Sequence, residues 1–235
     1  MEFEHRVALV TGGTGALGSA VVADLLASGA VVAVPYRSEE AWKRLRDHAG
    51  TAENRLTGAS VELSDFEQTA QFARQTIARF GRLDFLVACA GGFAPGLSYQ
   101  SSAEAWERMW SMNLRSVVSA LHAVVPQMIQ QNFGRIVTVS SGAILDGGGA
   151  GIAAYAVSKG AVRQLSEILA QELKAYNLHV HCVMPGTLDT PANRAAMPNA
   201  DASHWVKVED VARVIHFLLS ESARPLRGAV LPVLG

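Results

Sequence analysis

Tyr155 and Lys159 stand four residues apart in the stretch YAVSK. On a helix that spacing puts both side chains on one face, with Cβ atoms about 5–6 Å apart. A phenol is too weak an acid to move protons readily at neutral pH, and an ammonium beside it favours the phenolate and lowers its pKa. The pair could therefore act as a general acid–base couple. Alone it fits a solvated helix face equally well, so the reading depends on what the rest of the chain brings to it.

The second stretch with chemical meaning is TGGTGALG, residues 11–18. Glycines between a strand and a helix allow a tight turn and close backbone approach to a pyrophosphate, and the helix N-terminus presents free N–H groups. A plain strand-to-helix turn rarely needs Gly12, Gly13, Gly15 and Gly18 together. No Gly-Lys-Ser/Thr follows, so the turn is not a nucleoside-triphosphate loop. In dinucleotide folds an acidic residue about twenty positions on takes the adenosine ribose hydroxyls. Here the second strand ends in Pro35, Tyr36 and Arg37 with no carboxylate. Arg37 can pair with a 2′-phosphate and stack on adenine, which favours NADP(H) over NAD(H).

The elements that must position these residues follow from the hydrophobic pattern. Apolar runs at 6–10, 31–35, 58–63, 83–90, within GRIVTVSS, at HVHCVMP and at GAVLPV read as strands. Helical patterns run from about 15 to 28, 39 to 48, 64 to 81, 102 to 131, 153 to 176, and through VEDVARVIHFLLS. Ser64, with Glu67 three residues on, reads as a capping box, and Gly81 as the stop. Near-continuous apolar strands alternating with helices predict a Rossmann-type, doubly wound parallel sheet of about seven strands, helices on both faces. No linker or repeat breaks residues 1–235, so one catalytic domain is expected, with an irregular substrate loop at about 187–207.

Composition excludes several functions. The 235 residues are 49% hydrophobic and 17% charged, with a formal net charge of -1. Nothing suggests a nucleic-acid footprint, and no apolar run is long enough to span a membrane. The N-terminus lacks the pattern of a signal peptide, and the expectation is a cytoplasmic protein. Cys89 and Cys182 lie in apolar strand-like runs and read as core residues rather than a disulfide or metal pair. His179 and His181 alternate on one strand without a third ligand nearby, so no metal is expected.

Together these motifs resemble the short-chain dehydrogenase/reductase family over essentially the whole chain. The family's T-G-x-x-x-G-x-G matches Thr11, Gly12 and Gly18, with Ala16 at the middle glycine. Its N-N-A-G corresponds to Ala88, Cys89, Ala90 and Gly91, so both asparagines are missing. Its helix asparagine matches Asn113, and its Pro-Gly pair matches Pro185-Gly186, followed by Thr190. Its catalytic serine matches Ser141, one residue further from Tyr155 than is usual, with Ser140 as the alternative.

The resemblance implies a catalytic set of Asn113, Ser141, Tyr155 and Lys159. Tyr155 would donate the proton and Ser141 would position the carbonyl. Lys159 would lower the tyrosine pKa and bind the nicotinamide ribose, and Asn113 would hold a water for Lys159. Cofactor contacts are implied for Gly12, Thr14, Gly15 and Leu17, for Tyr36, Arg37, Glu62 and Leu63, for Ala90 and Gly91, and for Pro185, Gly186, Leu188 and Thr190. Phe93, Leu145, Met197 and Trp205 are candidates for the substrate pocket.

A narrower similarity, in CAGGFAPG and TLDTPANRAAMPNADASHW, is to dihydropteridine reductases. The expected function is NADP(H)-dependent reduction of a small carbonyl substrate, a ketone or 3-oxoacyl compound. A pteridine reductase is the alternative, and a non-catalytic dinucleotide-binding module the alternative of another class. Apolar stripes in the two long helices, including Leu121, Val125 and Ile129 in one and Leu165, Ile168 and Leu169 in the other, predict a homodimer, or a homotetramer built from it.

Overall fold

A computed structural model describes residues 1–235. In chain order the elements are β1 (Val7–Thr11), α1 (Ala16–Ala27), β2 (Val31–Tyr36), α2 (Glu39–Ala49), β3 (Leu56–Ser60), α3 (Phe66–Phe80), β4 (Phe85–Ala88), α4 (Ala103–Met109) and α5 (Ser116–Gln130). They continue with β5 (Gly134–Val139), α6 (Ala153–Glu172), β6 (Leu178–Pro185), β7 (Leu188–Asp189), α7 (Pro191–Ala196), β8 (Val206–Lys207), α8 (Val208–Leu219) and β9 (Val230–Val233). Seven strands form one sheet in the order β3-β2-β1-β4-β5-β6-β9. Every pairing in it is parallel.

The doubly wound α/β fold read from the hydrophobic pattern is therefore present. The central strands are apolar throughout because both faces are covered: all eight residues of β6 and all six of β5 are buried. One core cluster joins the sheet to α1, α2 and α8, the other joins it to α3, α5 and α6. The strand order reverses direction between β1 and β4, the place where such sheets open a ligand crevice at the C-terminal ends of their strands.

Local boundaries differ from the sequence expectation in four places. The cap of α3 is Asp65, not Ser64: its carboxylate accepts from the N–H groups of Glu67 and Gln68. The Ser64 hydroxyl instead donates to Glu62 at 2.8 Å. The third strand is Leu56–Ser60 rather than 58–63, because its register is set by pairing with Val32–Tyr36 of β2. The long helix at 102–131 is broken into α4 and α5 by a π-helical turn, Trp110–Arg115, which contains Asn113. Finally, the segment 187–207 is more regular than expected, holding β7, α7 and β8, with β7 and β8 paired in a small ribbon. The predicted stop of α3 holds: Gly81 caps it in a left-handed conformation, φ 78°.

Candidate active site

At the end of β1 the chain turns back under α1. Gly12 has φ +66°, and a Cβ there would lie 2.7 Å from the Ala90 nitrogen. Only glycine meets both demands. Gly15 caps α1, and no side chain reaches the first N–H groups of the helix. They are left to an anion, whose charge the helix dipole also favours.

In front of this turn lies a cavity of about 1050 Å³. Gly12, Thr14 and Gly15 form one wall, Tyr36 and Arg37 another, Glu62 and Leu63 a third, and Ala90 and Gly91 a fourth. These are the ends of β1 to β4, gathered from residues far apart in sequence. The Tyr36 ring stacks on Trp42 at 5.1 Å and its hydroxyl donates to Glu39. Arg37 is exposed and forms no ion pair. The Glu62 carboxylate is held by the Ser64 backbone and hydroxyl, which lower its pKa, with a further pull from Arg37. The uncapped helix and the glycine cradle fit the pyrophosphate of a dinucleotide. Leu17 does not line this cavity: its side chain is buried in the core behind the turn.

The acid–base residues stand at the end of β5 and on the first turns of α6. Tyr155 and Lys159 share α6 as their spacing required. Two serines end β5, and the structure separates them. The Ser140 hydroxyl donates to the Lys159 backbone carbonyl at 2.8 Å, so it ties strand to helix. Ser141 lies next to the phenol of Tyr155 and acts to lower its pKa.

The net direction for Tyr155 is nevertheless upward, because burial of the ring outweighs the serine. The expectation that Lys159 lowers this pKa is not met in this structure. The Lys159 ammonium donates to the Val139 carbonyl at 2.9 Å. Burial lowers its own pKa to about 8. Its charge acts instead on Cys89, where burial drives the thiol up to about 12 and Lys159 opposes it.

Asn113 is completely buried. Its Oδ1 accepts from the Gly92 N–H at 2.8 Å, and its Nδ2 donates to the Gly92 carbonyl at 3.1 Å and the Ser158 hydroxyl at 2.9 Å. These bonds make Asn113 a brace between the β4 loop and α6. The same crowding explains Gly91, where a Cβ would lie 2.6 Å from Asn113 Oδ1 and 3.1 Å from Lys159 Nζ. Ser158 was missed by sequence reasoning. Its signal was its place three residues after Tyr155, where its hydroxyl donates to the Tyr155 carbonyl at 2.7 Å.

The remaining predicted residues lie beyond β6. Pro185 ends that strand, Gly186 bonds to Val233 of β9 at 2.8 Å, and Leu188 belongs to β7. Thr190 caps α7 by accepting from the Asn193 N–H. None of the four borders the cavity described above. Of the proposed pocket residues, Phe93 touches Tyr155 ring to ring, whereas Trp205 lies under the Arg194 guanidinium.

The fold, the glycine turn and the Ser–Tyr–Lys grouping define a dinucleotide-dependent oxidoreductase. The chain belongs to the short-chain dehydrogenase family, whose model matches residues 6–201. Binding of NAD(P) goes with that membership. Among curated relatives, 3-oxoacyl-(acyl-carrier-protein) reductase of Thermotoga maritima is 30% identical, over 100% of this chain and 98% of its own length. Acetoacetyl-CoA reductase of Allochromatium vinosum is 28% identical over 98% and 97%. A short-chain type dehydrogenase/reductase from Mycobacterium ulcerans superposes with a TM-score of 0.93 at 30% identity, covering 99% of this chain and 90% of that one. Levodione reductase superposes with a TM-score of 0.90 at 26% identity, covering 99% and 97%.

Proposed function

We propose that the chain is an NADP(H)-dependent reductase of ketones or 3-oxoacyl compounds, in which Tyr155 gives the proton to the substrate carbonyl oxygen. The observation that carries this reading is the grouping of Ser141, Tyr155 and Lys159 beside a dinucleotide-sized cavity. The names of the relatives, reductases of 3-oxoacyl and acetoacetyl thioesters, support the substrate class.

A bound reduced nicotinamide supplies a hydride to the carbonyl carbon. The chain's own groups act on the oxygen, where negative charge develops and fixed donors stabilise it most. Ser141 donates a hydrogen bond to that oxygen and orients it, while Tyr155 transfers its proton. Lys159, with a pKa lowered to about 8 by burial, can release and regain a proton near neutral pH and so refill the phenol. Asn113 holds Gly92 and Ser158 in place around this group. Arg37, exposed and free of any ion pair at the end of β2, favours the 2′-phosphate of NADP(H).

Residues 1–235 would act as one catalytic unit, with 187–207 as the substrate loop. In α6, Val157 is 51% and Ile168 46% exposed, apolar surface that supports pairing of two copies through the long helices.

The test is NADPH oxidation with a panel of diketones, acetoacetyl thioesters and a quinonoid dihydropteridine. Turnover on the ketones supports the reading. Tight NADPH binding without turnover on any of them would replace it with a binding module, and turnover on the pterin alone with a pteridine reductase.

A further inference from the structure

We propose that Phe93 is a positioning and specificity-determining residue that fixes the ring of Tyr155 and selects carbonyl substrates carrying a flat apolar substituent. This rests on the reading of Tyr155 as proton donor.

The inference starts from how the loop after β4 is held. The Asn113 amide binds both polar groups of Gly92 and reaches Ser158 on α6 with the same nitrogen. A side chain at Gly92 would meet the end of Met112, with its Cβ 2.3 Å from the Met112 methyl. Further along, Gly96 donates to the Gly151 carbonyl at 2.7 Å and accepts from the Ala153 N–H at 3.0 Å. The loop is therefore fixed at both ends to the helix that carries Tyr155 or to the turn just before it.

Phe93 lies between these two anchors. Its ring centroid is 5.1 Å from that of Tyr155, with the planes at 68°, an edge-to-face contact. Phe93 is 62% exposed, so a large apolar surface remains beside the phenol, where a substrate carbonyl must arrive. Leu97 and Tyr99 of the same loop are 41% and 79% exposed. No charged residue occurs between Cys89 and Ala103. This loop offers a neutral apolar group a partner and a charged group none. The contact also shields the phenol, in keeping with the raised pKa that burial gives Tyr155.

The test compares wild type with Phe93→Ala and Phe93→Tyr. Phe93 is mostly exposed, so its truncation leaves no core cavity, and NADPH affinity serves as the folding control. The probes are 1-phenylpropane-1,2-dione and butane-2,3-dione, which differ by phenyl for methyl. In Phe93→Ala the ratio of kcat/KM for the phenyl over the methyl dione should fall roughly two- to tenfold, the range of one aromatic contact, mainly through KM. Phe93→Tyr should restore it. An unchanged ratio overturns the specificity claim.

Positioning is read without turnover, from the phenolate absorbance of Tyr155, isolated by subtracting spectra of the matched Tyr155→Phe proteins. Loss of the ring admits water, so the phenol should ionise at lower pH in Phe93→Ala than in wild type. The same midpoint in both overturns the positioning claim. Activity of wild type on neither dione would instead sink the specificity claim, while turnover on the acetoacetyl thioesters still decides the reductase reading and the titration still decides whether Phe93 governs Tyr155.

Discussion

Acid should destabilise this protein through two histidines that the catalytic reading does not use. His179 and His181 lie on β6 and are each 1% exposed. Burial lowers both pKa values to about 4, aided at His179 by Arg135 and Arg227 and at His181 by His179 and Arg135. Neither ring nitrogen of His179 has a partner. His181 accepts from the Ala229 N–H at 3.2 Å through Nδ1. Glu221 lies 3.4 Å from Arg135 and pairs with it. Folding thus requires both rings to be neutral. An unfolded histidine titrates near 6.5, so between that pH and about 4 the unfolded chain binds more protons than the native one. The stabilisation is fully present above the unfolded pKa and is lost as pH falls towards the folded one. At about pH 5 the difference amounts to about 2 kcal/mol for each ring.

The perturbation is His179→Leu, which removes the titration and two orphaned nitrogens while keeping an apolar side chain. Urea unfolding at fixed protein concentration should find the variant no less stable than wild type near neutral pH, since a buried polar group without partners costs about 1–3 kcal/mol. Between about pH 7.5 and pH 5 the variant should lose about 2 kcal/mol less than wild type. His216 works in the opposite sense. Burial disfavours its charge, but hydrogen bonds to Glu2 and Asp24 outweigh this and raise its pKa. Its contribution is present in both proteins and cancels in the comparison. Parallel stability–pH curves for wild type and His179→Leu would refute the assignment of the acid loss to this ring.

Other expected outcomes follow from the same structure. Tyr155→Phe should lower turnover by ~10²-fold or more with NADPH affinity unchanged in a fluorescence titration; retained turnover would count decisively against the proposed mechanism. Arg37→Asp should weaken NADPH binding by about tenfold or more and leave NADH favoured, because a carboxylate repels the 2′-phosphate. A wild type that prefers NADH would show that Arg37 does not select the cofactor. Light scattering at micromolar concentration should give at least twice the 25.0 kDa of one chain, and a monomer mass would remove the helix-pairing proposal. His216→Gln should lower the melting temperature most below the unfolded histidine pKa, and the two proteins should converge as pH rises through the raised folded pKa; a constant gap would show that charge on this ring is not what joins Glu2, Asp24 and α8.

The fold was legible because its signals are local and repeated. Each central strand is a short apolar run, and these runs alternate with longer helical patterns, so the order of elements along the chain can be read directly. The glycine turn was legible for a related reason: at Gly12 the left-handed backbone and the approach of Ala90 both demand the same residue type. What the sequence hid depends on partners distant along the chain. Ser64 and Asp65 are both good caps by type, and Glu62, by taking the Ser64 hydroxyl, leaves the role to Asp65. The third strand moved because β2 sets its register. The π turn at Trp110–Arg115 has no composition of its own, yet Asn113 in it reaches both Gly92 and Ser158.

Lys159 shows why helical spacing alone could not give the electrostatics of the site. Four residues of separation put Lys159 and Tyr155 on one face, as expected. Yet a buried ammonium takes the strongest acceptor within reach, and here that is the Val139 carbonyl at the end of β5. The phenol, left with Ser141 as its polar neighbour and Phe93 against its ring, is governed by burial. Burial raises its pKa against the pull of Ser141, and the Phe93 ring is part of what covers it, which is why a change at Phe93 should move the titration of Tyr155 although the two residues lie far apart in sequence.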